Sequence, residues 1–134
     1  MMLTLVPIST FASNHGDTSF RFSVSTSNNY AYTGSRSKEN TTSTYVNVEQ
    51  VPITYIYADV QGYRPSSVSG TNYWVDETLG GDKVTLSKGK WLVKQLVYEN
   101  GGRSARLKFQ RYYGTGTVSG VWSPDSVGSY PYAN

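Results

Sequence analysis

The sequence predicts an all-β domain, a single small β-sandwich of about eight antiparallel strands. Three observations carry that expectation. Strand-favouring residues dominate: Tyr occurs 12 times, with abundant Thr and Val, while the helix formers Ala and Leu are sparse. Short stretches alternate apolar and polar side chains with a period of two, the pattern of a strand with one face buried. Gly, Asn and Pro interrupt the chain every few residues, as in sandwiches and not in helical folds.

Along the chain, Phe20-Arg21-Phe22-Ser23-Val24-Ser25 alternates cleanly, and Ser27-Asn28-Asn29 ends it. Tyr30–Thr33 is a short second strand. Gly34–Thr42 is polar and reads as a loop carrying Lys38-Glu39-Asn40. Thr44–Val48 is a strand, and Pro52 marks a bend or a sheet edge. Ile53–Val60 sends Ile53, Tyr55, Tyr57 and Asp59 one way and Thr54, Ile56, Ala58 and Val60 the other. Both faces carry bulk, which places this strand centrally.

Gln61–Thr71 reads as a connection, Asn72–Val75 and Lys83–Leu86 as strands, and Trp91–Tyr98 as a strand buried on both sides. Asn100-Gly101-Gly102 supplies the positive φ of a tight hairpin. The return strand is Ser104–Gln110. Ala105, Leu107 and Phe109 point in, while Arg106 and Lys108 share the solvent face about 7 Å apart. In such a hairpin Lys94 shares that face. Thr117–Trp122 is the last strand, Ser123-Pro124-Asp125 stops it, and residues 126–134 read as a flexible tail. The domain is thus residues 13–125. The Trp side chains at 74, 91 and 122 are expected in the core.

The first residues carry a second message. Leu3-Thr4-Leu5-Val6-Pro7-Ile8-Ser9-Thr10-Phe11-Ala12 is apolar, ends on small residues and yields to the polar Ser13-Asn14-His15-Gly16-Asp17. Residues 1–12 read as a signal-peptide remnant, which predicts a secreted protein. No Lys or Arg precedes the run. Either the true start lies upstream, or residues 3–8 form a first strand. No other apolar stretch reaches the roughly 20 residues of a bilayer span, so no transmembrane segment is expected. The absence of Cys rules out disulfide staples, and 134 residues suffice for a core without them.

Charged residues make up 16 %, below the usual quarter. The distribution is uneven. Lys83, Lys88, Lys90, Lys94, Arg103, Arg106, Lys108 and Arg111 stand against Glu99 alone, a local net charge of +7. Such a segment on a secreted protein points to an anionic partner; an ordinary solvated face is the alternative. With 12 Tyr, several rings must be exposed, and Tyr beside Arg suits sugar rings or a protein partner. Arg111-Tyr112-Tyr113 is the best such cluster. The expected binding residues are therefore Lys94, Arg106, Lys108, Arg111, Tyr112 and Tyr113.

Catalytic and metal chemistry find little support. The single His15 sits in the polar start. Carboxylates are scattered, and Asp76, Glu77 and Asp82 around Gly80-Gly81 match no calcium-loop spacing. Neither a nucleophile elbow nor a phosphate-cradling loop is present. The sequence thus predicts a non-enzymatic protein without cofactor or metal.

Tyr32-Thr33-Gly34-Ser35-Arg36, the Phe20-Arg21-Phe22 strand after a polar start, the Asn100-Gly101 turn and Thr117-Val118-Ser119-Gly120-Val121-Trp122-Ser123-Pro124-Asp125 together resemble a family of small exported Gram-positive proteins of unknown function. The overall architecture is also similar, more weakly, to lactococcin-like β-sandwich bacteriocins. The first resemblance implies export and a small β domain, and brings no catalytic residues. The expected role is a secreted protein at the bacterial cell envelope, binding anionic polymer or lipid and not nucleic acid. A bacteriocin-like toxin and a subunit assembling by strand addition are the alternatives.

Overall fold

A computed structural model describes residues 13–65, 70 and 73–134. The leader reading of residues 1–12 lies outside them, as do residues 66–69 and 71–72 of the central connection. Among the described residues the chain is all-β, with ten strands in two sheets. In chain order they are β1 (Thr18–Val24), β2 (Tyr30–Tyr32), β3 (Arg36–Ser37), β4 (Thr44–Gln50), β5 (Ile56–Arg64), β6 (Tyr73–Asp76), β7 (Val84–Leu86), β8 (Gly89–Val93), β9 (Ser104–Arg111) and β10 (Gly116–Ser123). One sheet runs β1-β10-β4-β8. The other runs β2-β9-β5-β6, with β3 also on β9 and β7 also on β5. The strand pairs are antiparallel.

The alternation read from the sequence builds the core between these sheets. Phe20, Val46, Val48, Val118 and Trp122 come from one sheet, and Ile56, Ala58, Val60, Ala105, Leu107 and Phe109 from the other. The rings of Phe20 and Phe109 meet across the gap at 4.8 Å. Fully burying such side chains stabilises the fold by roughly 1.5–3 kcal/mol each.

Several boundaries differ from the expectation. The strand expected at Ile53 begins at Ile56, because Pro52 starts a turn in which Ile53 takes a φ of 59° over Gly114. The same strand continues through residues read as a connection, to Arg64. The buried run Trp91–Tyr98 is not one strand. Chain pairing of β8 with β4 stops at Val93, and residues 94–103 cross from one sheet to the other. Asn100-Gly101 lies in that crossover, where Gly102 N donates to Val97 O at 2.8 Å, and so joins no hairpin. Val97 explains the crossover: it is fully buried and its methyls lie over Gly62 of β5.

In place of a loose tail, residues 131–134 run along β8. Leu92 N donates to Pro131 O at 2.8 Å, Ala133 N donates to Leu92 O at 2.9 Å, and Lys94 N donates to the Asn134 Oδ1 at 2.8 Å. The otherwise open edge of β8 supplies the partners, and Tyr130 adds a ring contact with Tyr45 at 5.0 Å.

The polar loop after β3 is the largest departure. Lys38 is buried, its ammonium paired with Asp125, which is also buried. Its other donors go to Asn40 O at 2.7 Å and Thr42 O at 2.8 Å. Asp125 Oδ2 accepts from Asn14 N at 2.7 Å and Glu39 N at 3.0 Å. Burial pushes the Lys38 ammonium below the usual lysine value; the hydrogen bond and charge of Asp125, then the charge of Glu99, pull it back up. Beside this pair, Arg36 donates to Trp122 O at 3.0 Å and Asn14 Oδ1 at 2.7 Å. The segments Tyr32–Arg36 and Thr117–Asp125 therefore meet at one corner.

Gly120 in that last segment has a steric reason. The β4–β10 register shifts beside it, and a Cβ there would lie 1.9 Å from the Asn47 carbonyl oxygen. Gly120→Ala must displace backbone and should cost about 3 kcal/mol or more. Chemical denaturation checks this, with Gly16→Ala, whose Cβ would meet open space, expected near neutral.

Candidate functional site

The outer face of the six-stranded sheet gathers the chemistry. Period-two alternation makes it: β5 turns Ile56, Ala58 and Val60 inward, leaving Tyr57, Asp59, Gln61 and Tyr63 outside, and β9 leaves Arg106, Lys108 and Gln110 there. Ala31 is the buried residue of β2, so Tyr30 and Tyr32 both face out, 48 % and 45 % exposed. Register sets the neighbours. Lys108 lies between Tyr32 and Asp59, Gln110 between Tyr30 and Tyr57, and Gln61 opposite Arg106. Tyr63 stands opposite Trp74 of β6.

Arg106 is the centre of this face. Its guanidinium carbon lies 4.6 Å from the Tyr32 ring centroid and 4.4 Å from that of Trp74. Its Nε donates to Gln61 Oε1 at 2.7 Å, which fixes the plane of the group. Partial burial between the rings lowers its pKa from the ordinary value, with the charge of Tyr32 acting the other way. Lys108 Nζ sits 4.8 Å from the Tyr30 centroid, and Lys83 Nζ 4.9 Å from that of Tyr57. Neither Arg106 nor Lys108 meets a carboxylate in a salt bridge among the described residues. Each therefore keeps donors for an incoming acceptor. Contacts of this kind are worth about 0.5–1 kcal/mol when exposed.

Asp59 is the anomaly of the face. It is buried, and its Oδ1 has no hydrogen-bond partner among the described residues. Burial, first, and then the charge of Asp76 raise its pKa to about 6, against the lowering effect of Lys108.

The six residues expected from sequence divide. Arg106 and Lys108 stand together. Tyr112 joins the end of the face, packing edge-on against Tyr57 at 5.1 Å and Tyr55 at 5.3 Å. Lys94 does not join them, because the hairpin that was to bring it there is a crossover; it lies past β8, with Nζ 4.6 Å from the Tyr132 centroid. Arg111 has the inward parity of Phe109 and is tied to Asn29 Oδ1 at 2.9 Å and Gly114 O at 3.4 Å. Tyr113 projects from the following turn, 67 % exposed. Sequence reasoning missed Tyr30, Tyr32 and Trp74 as partners of Arg106 and Lys108. It had counted Trp74 in the core.

The scattered carboxylates are also separated. Glu77 holds Arg64 at 2.6 Å and Asn100 at 2.6 Å, Asp76 Oδ1 caps Thr78 N at 2.9 Å, and Asp82 accepts from Lys83 N at 2.7 Å. Among the described residues no His, Cys, Asp or Glu set forms a metal-ligand group.

Comparison with known families adds one match. A family described as "Protein of unknown function", DUF2712, covers residues 8–126. The chain belongs to the DUF2712 family. The DUF2712 span includes both segments that meet at the Lys38–Asp125 corner and every strand described above. No curated protein and no solved structure matches the chain.

Asp59 makes a stability prediction. Its native pKa lies above the unfolded value of 3.8. Its contribution is then fully present below pH 3.8 and lost as pH rises through about 6. Above that, the ionised form costs the fold up to about 3 kcal/mol. Asp59→Asn should be the more stable protein at pH 7.5 by about 1–3 kcal/mol. In urea titrations the gap should shrink towards pH 4.

Proposed function

We propose that this DUF2712 protein is a non-enzymatic, secreted binding protein that holds an anionic polymer of the bacterial cell envelope on the outer face of its six-stranded sheet. The observation that carries this reading is the Tyr32–Arg106–Trp74 stack with Lys108 over Tyr30 beside it. Such a face offers ring planes for sugars and two cations for phosphate or carboxylate groups. Both cations stand on β9, two residues apart, and are flanked by rings from β2 and β6, an extended array that suits a linear chain better than a single small anion. Secretion rests on the apolar run before Ser13, and the Gram-positive setting on the resemblance of the sequence motifs.

A lytic, bacteriocin-like action and assembly by strand addition have no comparable observation behind them.

The binding set is thus Arg106, Lys108, Tyr30, Tyr32 and Trp74; Lys94 and Arg111 fall outside it. Purified phosphodiester wall polymer should bind at low salt and release at 0.5 M salt, where the screening length falls to about 4 Å. Arg106→Ala with Lys108→Ala should weaken binding at least tenfold, and Lys94→Ala with Arg111→Ala less than threefold. The reverse order of effects, or retention on anionic vesicles alone, would reject this site or this ligand.

A further inference from the structure

We infer that Asp59 makes the anion-binding face acid-responsive: ionised, it opposes the anion that Lys108 and Arg106 would hold, and protonated, it admits it. The inference rests on the binding reading above and adds its regulation.

The geometry places Asp59 at the middle of the face. It stands on β5, directly across from Lys108 on β9, two residues along the strand from the Gln61–Arg106 pair on the same face. Directly opposed residues have Cβ atoms about 5 Å apart, so the two charges act on one another and on anything docked over them. Asp59 is only 8 % exposed, yet Oδ1 has no hydrogen bond and the side chain is in no salt bridge among the described residues. A buried carboxylate left so is the costly arrangement in its ionised form. It is the group on this face that gains most from a proton.

The groups around it act in both directions. Lys108 on β9 and Lys83 before β7 favour the carboxylate; Asp76 at the end of β6 and Asp82 in the turn before β7 oppose it. Burial and the two acids outweigh the two cations, which puts the proton within reach of a mildly acidic surface. A docked polyanion is a further negative charge beside Asp59 and pushes the same way. By reciprocity, the proton then strengthens the anion's binding by the same factor. One buried charge removed beside two binding cations is expected to change affinity by roughly tenfold.

The test measures the affinity of the full chain for dextran sulfate, whose sulfate esters stay ionised throughout, from pH 5 to pH 7.5. Most unperturbed carboxylates are already ionised in this range. Wild type should bind roughly tenfold more tightly at pH 5. Asp59→Asn should bind at all pH values as wild type does at pH 5, and His15→Asn, lacking the chain's one imidazole, should keep the wild-type profile. Binding that is flat with pH in wild type, or an Asp59→Asn profile that tracks wild type, overturns the inference and leaves the binding reading standing. No binding by wild type and Asp59→Asn at any pH overturns the binding reading itself.

Discussion

The buried Lys38–Asp125 ion pair is the contact on which the arrangement of the two sheets rests. Lys38 follows β3, which pairs with β9 in the six-stranded sheet. Asp125 follows β10, a central strand of the other sheet. Taking both charges out of water costs several kcal/mol each, so the pair persists only where its remaining valences are filled. Here they are: two backbone carbonyls complete the ammonium, and the backbone N–H groups of Asn14 and Glu39 complete the carboxylate. The same Asn14 links to Arg36, which links to Trp122. The corner thereby ties the start of the described chain, the β3 loop and the last strand into one unit.

Away from that corner, tyrosine takes over a role that acids fill in most domains. Of the eight cations between Lys83 and Arg111, six lie over aromatic rings: Lys83, Lys90, Lys94, Arg103, Arg106 and Lys108. This accounts for a chain with 12 Tyr and only 16 % charged residues. It also divides the basic segment. Consecutive in sequence, its cations are distributed over both sheets and their edges, and only Arg106 and Lys108, with Lys83 at the margin, share a face. A linear charge count therefore overstates the local field.

The alternating strands were legible in the sequence because period two is a local property. Ala105, Leu107 and Phe109 against Arg106 and Lys108 is such a case, and so is the split of β5 into Ile56-Ala58-Val60 and Tyr57-Asp59. What was not legible depends on partners distant in sequence. Asn100-Gly101 has hairpin chemistry, yet the buried Val97 over Gly62 turns the segment into a crossover, which moves Lys94 off the site. Lys38 sits among polar residues and reads as solvated until Asp125 is brought to it. The short segments at 32–36 and 117–125 carried only a family resemblance in the sequence, and their meeting at this corner appears in the fold alone.

The central claim, that a saturated buried ion pair fixes the corner of the sandwich, is tested most directly by a double-mutant cycle in chemical denaturation. Lys38→Met leaves the Asp125 carboxylate buried and uncompensated, and should cost about 3–5 kcal/mol. Adding Asp125→Leu should recover a large part of that loss. A Lys38→Met protein within 1 kcal/mol of wild type, or a double variant no better than the single, would contradict the account.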